Sequence, residues 1–296
     1  MRLRQIEVFH AVYSTGSMTN AAAMLNVSQP SVSKVLAHAE QQLGYLLFDR
    51  VKGKLVATPE AHRLFTHVSV VYRDVDRLRH VAENLRTGNS GRIRIAGTPA
   101  FGLDVLPRAV ATFLATNDTV FEIETLHLDQ MNEALLESRI DMGIAFDPGK
   151  APGIVEQVIA TSRFVVLAPL GTDFANRKAL KANDLCGHPF IGLNSRGPLG
   201  RSLSSYLESV QPPLNVVTWS ETYHVAKALV ACGAGVTIID EITAKSGNTD
   251  DIQILPLDPE LSFDIKVLSL ASVPLSIATQ KFVQHLKATV DEFLSD

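Results

Sequence analysis

Gln29, Ser31, Ser33 and Lys34 stand close together in the chain. Gln can make a bidentate pair with adenine, Ser can bond a base edge or a phosphate, and Lys can neutralise phosphate. A second kind of chemistry lies farther along, where Thr98-Pro99-Ala100, Asn194-Ser195-Arg196 and Thr222 each lead into a predicted helix. Free N–H groups at such starts, with hydroxyls beside them, suit a carboxylate, and Arg196 can add a bidentate pair. Two acids close predicted strands on the same side, Asp147 after Phe146 and Asp240 after Ile239. A carboxylate there can receive an ammonium or guanidinium, or it can cap the helix that follows.

The first group needs a helix to present it. Leu3, Ile6, Phe9, Val12 and Tyr13 recur at helical spacing, which predicts a helix over residues 3–14 ending before Gly16. Ser17 is a good N-cap for a second helix over residues 18–25, whose Ala21-Ala22-Ala23 lets another helix cross closely. Asn26-Val27 turns the chain, and Ser28 can cap a third helix with Pro30 in its first turn. That helix carries Val32, Val35, Leu36, Ala39 and Leu43 inward and stops at Gly44, leaving the polar group outward. Two short helices around a three-residue turn are the layout of a helix-turn-helix. Ser-Gln-Pro is also a good helix start anywhere, so capping and solvation alone would account for these residues too.

Charge agrees with a divided chain. Of 296 residues, 27 are Lys or Arg and 31 Asp or Glu; residues 1–90 hold 11 and 7, a net of +4, and the remainder a net of −8. A basic head on an acidic body fits a nucleic-acid module joined to a different domain. The 46% apolar content excludes wholesale disorder. Two cysteines cannot form a disulfide framework, and no signal-like or membrane-spanning run is visible, so a cytoplasmic protein is expected.

Between head and body, residues 60–86 contain neither Gly nor Pro. Leu64, Val68, Val71, Val75, Leu78, Ala82 and Leu85 follow alternating four- and three-residue steps, with charged neighbours such as Arg73 and Asp74. That is a coiled-coil seam, which favours pairing with a second chain over packing on its own domain. Residues 87–91, Thr-Gly-Asn-Ser-Gly, read as a hinge. Beyond them strands alternate with helices: strands at 93–97, 121–126 and 142–146, then 164–168, 190–193, 216–218 and 236–239, with helices at 103–116, 129–139, 199–208 and 222–232. A last strand at 263–270 and a helix at 276–294 lack a partner set, so they return to the first group. The pattern predicts two α/β lobes with ligand groups at the strand carboxyl ends.

Ala21-Ala22, Leu25-Asn26-Val27-Ser28-Gln29-Pro30-Ser31-Val32-Ser33, Glu40, Leu43-Gly44 and Leu47-Phe48-Asp49-Arg50 closely resemble the N-terminal domain of LysR-type transcriptional regulators. The body carries looser matches at residues 139–144 and 231–236. The resemblance implies an all-α-type winged helix-turn-helix over residues 1–59, a dimerising linker helix and hinge over 60–91, and a two-lobe, type 2 periplasmic-binding-protein-like effector domain over 92–296. Lobe I would hold residues 92–163 and 266–296, and lobe II residues 164–265. The implied DNA contacts are Ser17, Thr19, Ser28, Gln29, Pro30, Ser31, Ser33 and Lys34, joined by a wing over residues 50–58 with Arg50, Lys52 and Lys54. Expected partners are double-stranded DNA bearing an interrupted inverted repeat, a small-molecule effector, a homodimer or homotetramer, and RNA polymerase. At Asp240 the family more often has Pro, and this departure tilts the expected effector towards an amino-acid-like or opine-like compound.

The remaining signals are weak. Gly233-Ala234-Gly235 lacks the third glycine and acidic partner of a dinucleotide site, so no cofactor is expected. No metal-ligand spacing and no nucleophile–base set occurs, which argues against an enzyme. Cys232 reads as a small core residue. A two-lobe solute-binding or enzymatic protein with an incidental helical head is the competing class.

Overall fold

A computed structural model describes the chain except residues 52–53, 88–90, 175–176, 195–196 and 296, and except the side chains of 54, 73, 76–77, 79–81 and 83–87. The contacts divide it into two compact units, Met1–Glu83 and Asn84–Asp296. Residues 88–90 of the predicted hinge, together with Lys52, Ser195, Arg196 and the side chains of Lys54 and Leu85, lie outside the described residues.

In the first unit, α1 (Leu3–Thr15) ends where Gly16 takes a left-handed φ of 62°. Helix α2 (Met18–Met24) starts at Ser17, whose hydroxyl accepts from Asn20 N. Asn26, at a φ of 51°, turns the chain into α3 (Gln29–Leu43), which stops at Gly44. Phe9, Val12, Ala21, Val32, Leu36 and Leu47 are buried together, and each large apolar side chain so buried contributes roughly 1.5–3 kcal/mol. Strands β1 (Phe48–Val51) and β2 (Lys54–Ala57) form the antiparallel wing. Glu40 of α3 anchors its start by accepting from Leu47 N (2.8 Å) and Phe48 N (3.2 Å). Thr58 then accepts from Ala61 N, which opens α4 (Pro59–Thr87) cleanly.

In the second unit, β3 (Arg92–Gly97) lies between β4 (Val120–Thr125) and β5 (Met142–Phe146), all parallel. Asp141, from the motif at 139–144, ties β3 to the start of β5 by accepting from the Arg94 backbone N–H and guanidinium, each at 2.8 Å. Helices α5 (Pro99–Gly102), α6 (Val105–Leu114) and α7 (Leu128–Leu136) connect these strands. The helix expected over 103–116 is α6, preceded by the separate short turn of α5. The break falls at Asp104, whose carboxylate accepts from Arg108 and from Gly247 N at 3.2 Å.

The 16-residue β6 (Ile154–Pro169) spans both lobes. Its first part pairs with β11 (Ser262–Leu270), and from Phe164 onward it pairs with β9 (Thr237–Asp240) and β10 (Ile252–Pro256). At that crossing Arg163 donates to Glu241 (3.0 Å) and Glu260 (3.1 Å). The second crossing lies between β10 and β11, because Ser262 already pairs with Arg163; the expected point at 265–266 is instead where the register of β11 shifts. Lobe II adds the parallel pair β7 (Pro189–Leu193) and β8 (Asn215–Ser220), and helices α8 (Pro198–Leu207), α9 (Tyr223–Ala231) and α10 (Glu241–Lys245). Gly235 is required where the chain passes β7, since a Cβ there would collide with the Pro189 carbonyl. Helix α11 (Ile277–Ser295) packs back on lobe I through Phe282, Leu286 and Val290. Cys232 is exposed, not core: Ala226 and Val230 form the buried face of α9, and residue 232 caps its end facing away.

Candidate functional site

On α3 the side chains divide cleanly. Val32, Leu36 and Ala39 are buried, whereas Ser28, Gln29, Pro30, Ser31, Ser33 and Lys34 are all exposed. The Ser28 hydroxyl makes no backbone cap; it pairs with Ser31 Oγ at 2.9 Å, so both stay on the outer edge. Gln5 of α1 donates to Gln42 Oε1 at 2.8 Å, bracing the far end of α3. Thr19 is exposed at the start of α2, and half-buried Ser17 caps that helix. Arg50 is exposed on β1 opposite Leu55. The geometry gives a rigid helix whose N-terminal donors and hydroxyls face outward, a shape suited to the major groove.

Along α4 the predicted seam changes character. Val68 is 4% exposed and packs, with half-buried Leu64, in the helix-turn-helix core. Those two positions serve the domain's own interior, because the first turns of α4 lie across it. Val71 is 42% and Leu78 69% exposed, Ala82 is exposed and Val75 half-buried. An unpartnered apolar face therefore begins at Val71.

The second unit holds a cavity of about 120 Å³ between its lobes. Lobe I supplies Thr98, Pro99 and Ala100 after β3, His127 and Leu128 after β4, and Ala145 and Phe146 at the end of β5. Lobe II supplies Asn194 after β7, residues 197–200 at the start of α8, and Glu221, Thr222 and Tyr223 after β8. Every one of these strands ends here, as expected of open α/β sheets. The starts of α7, α8 and α9 lie at the cavity, directing the partial positive charge of their first turns at it. Thr222 Oγ1 accepts from Val225 N and so caps α9. Thr98 Oγ1 is buried and has no hydrogen-bond partner among the described residues, although the Thr98 backbone is fixed by its N–H bond to Ile144 O (3.1 Å). Phe101 packs behind Phe146, the two rings tilted at 44° with 4.6 Å between centroids, closing the lobe I wall.

Two predicted ligands stand elsewhere. Asp147 does not line the cavity; its carboxylate faces Lys266 at 3.5 Å. Asp240 is wholly buried and caps α10, accepting from Thr243 N at 2.7 Å. Burial pushes its carboxyl up to about 6, against the pull of the Thr243 hydrogen bond. Burial, with Asp240 adding to it, also raises the Tyr223 phenol, which stays protonated. His127, Glu221 and Tyr223 line the cavity but were not singled out from the sequence. The available signal was position, each falling at or just after the end of a strand in a parallel pattern. Among the described residues no His, Cys, Asp and Glu group could hold a metal, and no helix is long and apolar enough to cross a membrane.

Residues 3–62 match the bacterial regulatory helix-turn-helix protein model of the lysR family, and residues 86–291 match the LysR substrate binding domain. The HTH-type transcriptional regulator DgcR of Pseudoalteromonas sp is 41% identical over 287 residues, covering 97% of this chain and 99% of that protein. The octopine catabolism/uptake operon regulatory protein OccR of Rhizobium meliloti is 28% identical over 258 residues, 86% of this chain and 85% of its own. Full-length CbnR, solved in complex with its target DNA, shares the fold at a TM-score of 0.67 and 21% identity, covering 98% of this chain and 100% of that one.

Proposed function

The chain belongs to the LysR family of bacterial transcriptional regulators, and on that premise we propose that it reads DNA with the outer edge of α3 and answers to an amino-acid-like or opine-like effector held between its lobes. As a family member it is a DNA-binding regulator with a small-molecule effector domain, not an enzyme. The matched helix-turn-helix family model removes the competing idea of a solute-binding or enzymatic protein with an incidental head.

The observation that carries the DNA assignment is the outward polar edge formed by Gln29, Ser31, Ser33 and Lys34 above a buried apolar stripe. Gln29 and Ser33 take base edges; Lys34, Arg50, Lys52 and Lys54 take phosphate. The exposed seam from Val71 pairs two chains, so that two reading helices address an interrupted inverted repeat, and two dimers form the tetramer. The effector carboxylate sits on Thr98 and the helix starts around it, with Asn194 facing it from lobe II. OccR, which carries octopine in its name, lends weight to an amino-acid-derived effector. Binding biases the assembly between two geometries on DNA and so alters polymerase recruitment in the cytoplasm. Footprinting the DNA upstream of the chain's own gene tests this reading. Two protected half-sites separated by about one duplex turn are expected; no protection at low salt would overturn it.

A further inference from the structure

We propose that Glu40 and Thr58 are positioning residues for DNA reading: they fix the direction of α4 against α3 and the wing, and so set which half-site spacing a dimer accepts. The inference rests on the reading of two paired half-sites and adds how the head holds their separation. Three elements meet at one residue. Leu47 follows the turn after α3, leads into β1 and is wholly buried. From one side Glu40, near the end of α3, reaches forward past Gly44. One of its carboxylate oxygens accepts from Leu47 N at 2.8 Å and Phe48 N at 3.2 Å. From the other side Thr58, between β2 and α4, closes on the Leu47 carbonyl. Its N–H donates there at 3.0 Å, and its hydroxyl is shared between Leu47 O at 3.2 Å and Leu46 O at 3.0 Å. The same hydroxyl oxygen accepts from Ala61 N, in the first turn of α4, at 3.2 Å. A continuous hydrogen-bonded chain therefore runs from the reading helix through the root of the wing to the linker helix.

Contacts between α4 and α1 are mostly of another kind. Phe65 stacks on Tyr13 with 3.8 Å between ring centroids, Tyr72 stacks on His10 at 4.0 Å, and one surface hydrogen bond joins Tyr13 Oη to His62 Nδ1. Stacks and aliphatic contacts keep α4 on the head but tolerate tilting, because dispersion is spread over many weak contacts. Hydrogen bonds weaken steeply when bent, so the polar chain is what defines the angle. That angle matters because α4 carries the exposed seam from Val71 onward. Leu78 stands about 30 Å along the helix from Thr58, so a tilt of about 10° displaces it by about 5 Å. That exceeds one base-pair step of about 3.4 Å, and it moves the partner's reading helix out of register with its half-site.

The test measures binding of the full-length protein to the footprinted site and to sites whose half-sites stand about two and about four base pairs farther apart. Those insertions turn one half-site by about 70° and about 140° around the duplex. The parent is expected to bind the altered spacings at least tenfold more weakly than the natural site. Glu40→Ala and Thr58→Val are expected to weaken the natural site and to discriminate between spacings less than threefold, with protection inside each half-site kept. Glu40→Gln, whose amide oxygen can accept the same two bonds, and Thr58→Ser, which keeps the hydroxyl, are expected to behave as the parent. Melts of the head establish folding, and if Glu40→Ala does not fold, Thr58→Val against Thr58→Ser carries the comparison. A folded Glu40→Ala or Thr58→Val that discriminates as the parent does would overturn the inference and leave the paired half-site reading standing. So would a Glu40→Gln protein that behaves as Glu40→Ala. A parent that binds the site but is indifferent to spacing would overturn that reading, and the inference with it.

Discussion

Replacing Asp240 with Asn should stabilise the protein, and only above a defined pH. The Asp240 side chain has no solvent exposure, and its carboxyl is pushed up from an ordinary 3.8 to about 6. The folded chain therefore holds this proton more tightly than the unfolded chain does. The contribution to stability is complete below about pH 3.8 and is lost as pH rises to about 6, after which the buried charge carries its full penalty. A shift of that size corresponds to about 3 kcal/mol. Asn is as good an N-cap as Asp, so its Oδ1 can keep the Thr243 N–H bond, and its amide can donate to Thr243 Oγ1, which now lacks a partner among the described residues. Losing a negative charge at a helix start returns about 0.3–1 kcal/mol of that gain. The net effect at pH 7.5 is about 2 kcal/mol, a rise of about 4–8 °C in Tm for a unit of this size. Calorimetric melts of parent and variant between pH 4 and 8 would measure it. The difference should be near zero or slightly negative at pH 4 and grow through pH 6. A variant that melts lower at pH 7.5, or differs by the same amount at every pH, would refute the account of a buried charged carboxylate. Asp240→Ala, which removes the cap, should gain less.

The linker and the cavity give further tests. Val71→Asp places like charges in the exposed seam and should dissociate the dimer in sedimentation velocity while the melting temperature of the head is kept. Val68→Asp buries a charge in the helix-turn-helix core and should unfold that unit; a Val71→Asp protein that sediments as the parent would exclude the seam. Thr98→Val leaves the backbone anchor to Ile144 O in place but removes the unpartnered hydroxyl, so the effector response in a reporter assay should vanish with DNA affinity intact. An unaltered response would move the pocket elsewhere.

How much of this could be read from the chain follows from the range of the forces involved. The head was legible because its signals are local: Gly16 and Gly44 end helices through their own backbone preference, and Asn26 turns the chain by itself. The alternation of strands and helices pointed to the lobes, and the strand ends pointed to Thr98, Asn194 and Thr222, which line the cavity between them. Long-range pairing was not legible. The first part of β6, with Glu156, Gln157 and Thr161, lacks a continuous apolar run and becomes a strand by pairing with β11 from the far end of the chain. Asp240 as ligand or as cap turns on burial alone, which depends on β6 and α9 packing over it. His127 and Glu221 gain meaning only when the topology brings the ends of β4 and β8 to one cavity. The seam on α4 read as uniform because spacing does not reveal where the head's own core stops covering it.

The central claim is that the edge of α3 carries sequence information to a duplex. Its most direct test compares the affinity of Gln29→Ala, Ser33→Ala and Lys34→Ala for the footprinted site and for random DNA across a salt series. Gln29→Ala and Ser33→Ala should weaken the specific complex, by about 1–3 kcal/mol for a true base contact, and spare binding to random DNA. Lys34→Ala should weaken both alike and reduce the salt slope by about one. Equal losses on both DNAs for Gln29 and Ser33, or no loss on either, would contradict the account.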